Sequence, residues 1–207
     1  MIRISATQLE SYRRWLENEE ATIEEMIAYL EKKVIPNEAM LAGSAFHKVL
    51  EDYENMTLAF VEKDGFKFDF SEIDTEIHIP RIKEFKFEIA KRINDELVTF
   101  VGVVDAMESD CVFDHKLTAY IDAENYTDSM QWRCYLSWLG MSKFTYNLFQ
   151  KYTPAAEPDK CVIKSVTQIS FYRYPEMEND VLLLATQLVD FIKANAPHLI
   201  QIEVKNG

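Results

Sequence analysis

Two aspartates and a lysine are the first residues here whose types and spacing suggest chemistry. Asp105 closes the apolar run Phe100-Val101-Gly102-Val103-Val104, and Asp114 follows Val112-Phe113, with Lys116 two residues beyond. Glu108-Ser109-Asp110 between them is a turn signal. If that turn has two residues, Ser109-Asp110, or four, facing residue numbers sum to 219 and Asp105 falls opposite Asp114. Facing residues of antiparallel strands share a face, with Cβ atoms about 4.5–5.5 Å apart. Carboxylates that close repel each other, and charges embedded in core-like strands need partners. Mg²⁺ or Mn²⁺, which prefer carboxylate oxygens and water, would neutralise them. Lys116 shares the face of Asp114 by strand alternation. Its ammonium could orient a metal-bound water, take its proton, or stabilise charge at an attacked phosphate. The His115 side chain points the other way, but its backbone carbonyl lies near the same place and could be a further ligand.

The spacing alone says little. Glu31-x-Lys33, Glu84-x-Lys86 and Glu203-x-Lys205 repeat it, and such pairs are usually solvated ion pairs. What sets Asp105 and Asp114 apart is their apolar surroundings.

Other residues have two readings each. His47 and Glu51, four apart on a predicted helix, share a face. His47 could bind a metal or phosphate with Glu51 supporting it, or the two could form a surface ion pair. Gln131 and Tyr135 have the same spacing. They could reach a phosphate or a metal-bound water, or simply hydrogen bond to each other. Arg81, Lys83, Lys86, Lys91 and Arg92 form a basic strip that could guide a nucleic-acid backbone. Charge protecting an edge strand is the favoured reading, since Phe85 and Phe87 look like core.

The elements that must position these groups follow from periodicity and breakers. Ser5 caps a helix over Ala6 to Asn18, Glu19 to Lys33 reads as a second, and Ser44 to Phe60 as a third with Phe46, Val49, Leu50 and Tyr53 on one face. Strands are expected over Lys83–Arg92, Leu97–Met107 and Cys111–Leu117. A helix over Ala123–Leu139, strands over Lys143–Lys151 and Cys161–Tyr172, and a helix from Pro175 to Asn195 complete the chain. The fold class is therefore α/β, a mixed central sheet flanked by helices. One domain is expected over 1–207: a helical part at 1–60, a sheet core at 81–172 and a last helix at 175–195.

Composition sets the bounds. The chain has 207 residues, 48% hydrophobic, with 5 Gly and 6 Pro, enough for a buried core and against extensive disorder. No apolar run reaches membrane-spanning length, and the start lacks a secretory signal's apolar stretch. Three widely spaced cysteines fit no zinc or iron–sulfur pattern. A cytoplasmic location is expected. The net charge of −13 argues against bulk electrostatic coating of nucleic acid. No Gly-rich phosphate loop supports an NTPase or dinucleotide-binding reading.

In order, the motifs resemble the PD-(D/E)XK nuclease superfamily, in particular its RecB-like and phage-type exonuclease branch. Ile4-Ser5-Ala6-Thr7-Gln8-Leu9-Glu10-Ser11-Tyr12 is similar to that branch's opening helix, and Gly43-Ser44-Ala45-Phe46-His47 to its histidine motif. Gly102-Val103-Val104-Asp105 resembles its G-x-x-D strand and Asp114-His115-Lys116 its D-x-K. Gln131-x-x-x-Tyr135 resembles its trailing helix motif. The resemblance covers nearly the whole chain, including Phe171–Pro175 and the last helix. It implies a restriction-endonuclease-like core and Mg²⁺- or Mn²⁺-dependent hydrolysis of DNA. It also implies metal ligation by His47, Asp105, Asp114 and the His115 carbonyl, with Lys116 as catalytic lysine and Gln131 and Tyr135 shaping the DNA end. DNA ends would be the substrate, in recombination or repair, in bacteria or phage-infected hosts. A strand-annealing or single-strand-binding protein would be a partner, and a DNA-encircling homo-oligomer would offset the acidic charge. A silent binding module and a structure-specific endonuclease are the alternatives. Leu117-Thr118 departs from the branch, where Thr-Thr or Thr-Gly often follows the lysine. Its four iron–sulfur cysteines are absent.

Overall fold

The computed structural model describes residues 1–52, 59–73 and 77–200. The chain runs β1 (Ile2–Ser5), α1 (Ala6–Glu17), α2 (Ile23–Leu30), α3 (Glu38–Asp52), β2 (Phe60–Lys63), β3 (Phe66–Asp69), β4 (Ile82–Ile93), β5 (Glu96–Glu108) and β6 (Cys111–Thr118). It continues α4 (Ala123–Asp128), α5 (Met130–Leu139), β7 (Lys143–Tyr152), β8 (Lys160–Tyr172), α6 (Met177–Asn195) and a short 3-10 turn, Pro197–Leu199. Capping boxes start two helices: Ser5 with Gln8 opens α1, and Thr22 with Glu25 opens α2. Gly140, at φ +70°, ends α5 in the left-handed region.

The eight strands form a mixed sheet ordered β1-β5-β6-β7-β8-β3-β2, with β4 added on β5. β4 covers one edge of β5 from Glu96 to Met107. β1 pairs parallel with Val98–Val101 and β6 antiparallel with Ala106–Glu108. A strand has two edges, so β1 and β6 share the remaining one. They leave Gly102 to Asp105 between them, and the sheet forks there. One face is covered by α1, α5 and α6, packed on Phe144, Tyr146 and Leu148. On the other, α3 packs Phe46, Val49 and Leu50 around Phe149, Cys161 and Ile163.

The mixed α/β architecture matches expectation, with corrections. The part expected to be helical, 1–60, contributes β1 and the first residue of β2 to the sheet, and β3 follows in a stretch where no element was expected. β1 is too short to show periodicity. β2 and β3 form a hairpin around Asp64-Gly65, where both residues have positive φ. Phe60, expected in a helix, lies in β2. α3 begins earlier than expected, at Glu38, and Tyr53 falls outside the described residues. α2 is confined to Ile23–Leu30. The helix expected over 123–139 breaks at Ser129, whose hydroxyl accepts from the Gln131 N–H. Pro175 precedes the last helix by two residues, with Glu176 at φ +69° before it. Lys83, Lys86, Lys91 and Arg92 of the basic strip lie on β4, with Arg81 just before it, and among the described residues β4 pairs only with β5, which agrees with an edge strand; Phe85, expected in the core, is exposed.

Gly102 faces Phe87 across the ladder. A Cβ there would lie 2.5 Å from Phe87 Cζ and 3.1 Å from Tyr135 Cε1. The Phe87 ring is itself packed edge-on against Tyr135 and Trp138, so it has little room to yield. Gly102→Ala should destabilise the fold by roughly 1–3 kcal/mol, the usual cost of overpacking. Urea titration with an unchanged midpoint would refute the packing argument.

Candidate active site

The fork gathers most of the residues singled out above. Facing pairs Ala106–Phe113, Met107–Val112 and Glu108–Cys111 sum to 219, so the two-residue turn is the one formed. The pairing ends at Ala106, one step before Asp105 and Asp114. There the Asp105 carboxylate takes up a backbone donor: His115 N–H donates to Oδ2 at 2.7 Å. In a strand the N–H and C=O of one residue face the same neighbour, so the His115 carbonyl is turned toward β5 as well. On β4, Glu84 would face Asp105, but it sits at φ +50° and the ladder skips it. Asp105 is thus released from regular pairing on both edges.

Asp105 and Asp114 have separate partners. His47 on α3 brings Nδ1 to 3.3 Å from Asp105 Oδ2. Burial would raise the Asp105 pKa, but His47, Lys116 and the His115 N–H outweigh it and hold the carboxyl below its ordinary range. Burial likewise opposes a charged His47, and Asp105 with Asp114 holds its pKa above the ordinary value. Asp114 is 4% exposed. Lys116 Nζ lies 3.0 Å from its Oδ1 and 2.7 Å from its Oδ2, and Gln131 Nε2 donates to Oδ1 at 2.7 Å. Burial pushes Asp114 up to about 6; Lys116 opposes this and the charge of Asp105 adds to it. Burial pulls against the Lys116 charge, but Asp114 and Asp105 keep its pKa above ordinary.

Gln131 reaches Asp114 because α5 starts where it does. Ser129 caps it, and Met130 N–H donates to Glu10 Oε2 on α1 at 2.6 Å. Tyr135 serves a different group: its hydroxyl donates to the Val103 carbonyl at 3.0 Å, filling the gap between β1 and β6. At 6% exposure it positions the fork rather than facing solvent. Tyr135→Phe leaves that carbonyl without this donor. The expected cost is about 1–3 kcal/mol, with a larger fall in activity than in stability if Asp105 shifts. Equal activity after correction for folded fraction would remove Tyr135 from the site.

The His115 side chain points to the other face, as expected. Asn147 Nδ2 and His115 Nδ1 lie 3.2 Å apart, with Gln168 bonded in turn to Asn147. Burial lowers the His115 pKa to about 4. Glu51, expected to support His47, instead gives its backbone carbonyl to Lys83 Nζ. The structure puts Asp105 in that role. Sequence reasoning passed over Glu84, which borders a small recess with His47, Glu51 and Asp105. The triplet Glu84-x-Lys86 was its only signal.

Two carboxylates and a strand carbonyl are hard oxygen donors that fit Mg²⁺ or Mn²⁺, and the imidazole, a borderline donor, suits Mn²⁺ better than Mg²⁺. Asp114 Oδ2 is buried and accepts no hydrogen bond; its one close partner among the described residues is the Lys116 ammonium at 2.7 Å, which a cation would have to displace. The set is not gathered around one point. Among the described residues, no three His, Cys, Asp or Glu side chains converge to hold a metal. His47 and Lys116 presently serve as the counter-charges.

The chain matches no family model and no curated protein sequence. Its fold is similar to the crystal structure of SSO0001, with TM-score 0.52 and 12% identity over 97% of this chain and 89% of that one. A "Putative exonuclease" from Eubacterium rectale superposes with TM-score 0.49 and 9% identity, over 96% of this chain and 83% of that one. At 12% identity the first shows a shared fold and nothing further, and the second is too remote to add to it. The class defined here is a mixed α/β protein with a forked central sheet flanked by helices. No described helix is long and apolar enough to cross a membrane.

Proposed function

We propose that the chain is a divalent-metal-dependent deoxyribonuclease with a restriction-endonuclease-like, PD-(D/E)XK core, acting from DNA ends. One observation carries this reading. A buried carboxylate, Asp114, is held between Lys116 and Gln131 at a break in the sheet, beside the Asp105–His47 pair. Asp105, Asp114, His47 and the His115 carbonyl would hold Mg²⁺ or Mn²⁺. The ion, when bound, would supply Lewis acidity at the phosphate and make an attacking water easier to deprotonate.

The side chains do the rest. Lys116 presents a protonated Nζ to the phosphate, where it stabilises developing negative charge. Gln131 fixes which way Asp114 Oδ1 faces. His47 keeps Asp105 ionised and ready to exchange an imidazole for a cation. Tyr135 and Gly102 hold the fork open. A role in recombination or repair, beside a strand-annealing or single-strand-binding partner, and assembly around DNA follow from the motif resemblance.

Purified protein with Mn²⁺ or Mg²⁺ should degrade linear DNA and spare a closed circle. Cleavage of the circle would make it an endonuclease. Intact DNA throughout, together with no heat of Mn²⁺ binding by calorimetry, would leave a binding module and sink the nuclease reading.

A further inference from the structure

Beyond the fork lies a cavity of about 350 Å³ with Lys116 and Gln131 in one wall. That is near the small end of ligand sites, which run roughly 300–1,000 Å³, and suits one nucleotide better than a base pair. Resting on the nuclease reading, we propose that this cavity takes a single unpaired nucleotide, with its phosphate toward Lys116 and its base on Tyr120 and Tyr126.

The sequence builds the cavity directly from the end of β6. Thr118 closes that strand, two residues after Lys116. Its hydroxyl donates to the Tyr120 carbonyl and accepts from the Tyr120 N–H at 3.2 Å. This fixes the turn and holds Tyr120, a residue 75% exposed, at the cavity. An exposed aromatic on a pinned backbone is a stacking surface available at low entropic cost. Tyr126, half-buried, leans on Tyr146 with centroids 5.0 Å apart and supplies a second ring.

The polar lining suits a nucleotide as well. Arg14 contributes a guanidinium tied to Glu10 through Nε alone among the described contacts, which leaves its terminal nitrogens for a second phosphate. The acids that could repel a phosphate are engaged: Glu10 by Arg13, Arg14 and the Met130 N–H, and Asp122 by the Glu124 and Asn125 N–H groups. Asn125 donates its amide N–H to Asp122 Oδ2, leaving its carbonyl oxygen for the edge of a base.

Duplex ends would have to fray before cleavage, and unpaired ends would be preferred.

The test separates this inference from the nuclease reading, because binding needs no hydrolysis. In chelator, calorimetry compares dAMP with deoxyribose 5-phosphate on the wild type and on Tyr120→Ala. The expected result is tighter binding of dAMP. Its affinity should fall about five- to hundred-fold in the variant, the range for loss of one base–aromatic stack, with the sugar phosphate unaffected. If dAMP binds no better than the sugar phosphate, or is indifferent to Tyr120, the inference is overturned. With Mn²⁺, a duplex with mismatched terminal nucleotides should be cut faster than a fully paired one, and equal rates would also overturn it. Base-selective binding without any DNA cleavage would sink the nuclease reading and leave the cavity assignment standing.

Discussion

Lys116→Gln should lower the rate of DNA hydrolysis by about 10²–10⁴, the range for a positioned proton donor or charge stabiliser, while Mn²⁺ binding survives. Glutamine is one atom shorter and keeps a donor for Asp114 but not the charge. The Lys116 side chain is one-third exposed, so its ammonium can reach an incoming phosphate without leaving Asp114. Removing it takes away the main influence holding the Asp114 carboxyl down against burial. The Asp114 pKa should then rise further above about 6, and Mn²⁺ uptake is best measured near pH 8, where the acid is ionised. There the variant should bind Mn²⁺ at least as tightly as the wild type, because the cation no longer competes with an ammonium for Oδ1 and Oδ2. Hydrolysis at the wild-type rate would remove Lys116 from the chemistry. Loss of Mn²⁺ binding at pH 8 would show instead that the lysine holds the site's shape.

How much of this was legible beforehand depended on the range of the signal. The register of the β5–β6 hairpin followed from one turn and strand alternation, both local, and the pairs at Ala106, Met107 and Glu108 have the expected sum; the pair expected next, Asp105 opposite Asp114, is not formed, because the ladder ends at Ala106. That Lys116 shares a face with Asp114 is equally local, and the 2.7 Å contact agrees. The fork was not legible. It arises because β1, four residues at the chain's start, competes with β6 for one edge of β5, and nothing in either segment announces that pairing. His47 was found, but its partner was misjudged. Helical spacing pointed to Glu51, whereas packing of α3 against the sheet brought Asp105. Gln131 and Tyr135 were read either as reaching a phosphate or metal-bound water or as bonded to each other; Tyr135 donates to the Val103 carbonyl, which the gap opened by the fork leaves to be satisfied, and Gln131 acts on its phenol from close by. The Asp64-Gly65 hairpin was readable from its turn residues but lay in a stretch, 61–82, where no element was expected, with Phe60 of its first strand given to the preceding helix.

Asp114→Asn should abolish hydrolysis and yet stabilise the metal-free protein at pH 7.5. In the folded chain Asp114 titrates at about 6 against an ordinary 3.8. A carboxyl whose folded pKa is raised costs stability once ionised. The cost is absent below about pH 4, grows between 4 and 6, and is complete above 6; the gap corresponds to about 3 kcal/mol. Asparagine keeps an oxygen for Gln131 and discards the charge, at the expense of the Lys116 ion pair. The net gain should therefore be smaller, about 1–2 kcal/mol, or roughly 2–8 °C in Tm for a chain of this size. Total stability against pH would hide the effect. His115, lowered from 6.5 to about 4, destabilises the fold as pH falls through that same interval, opposing the gain from protonating Asp114. The difference between variant and wild type cancels the His115 contribution, and it should shrink to nothing near pH 4. Saturating Mn²⁺ should reverse the order at pH 7.5, since an ion at 100 times its Kd adds about 2.7 kcal/mol to the chain that binds it. A variant less stable than wild type in chelator at pH 7.5 would mean that the Asp114 charge is comfortably held. Equal stabilisation of both chains by Mn²⁺ would mean that the cation sits elsewhere, and the two acids at the fork would lose their assigned role.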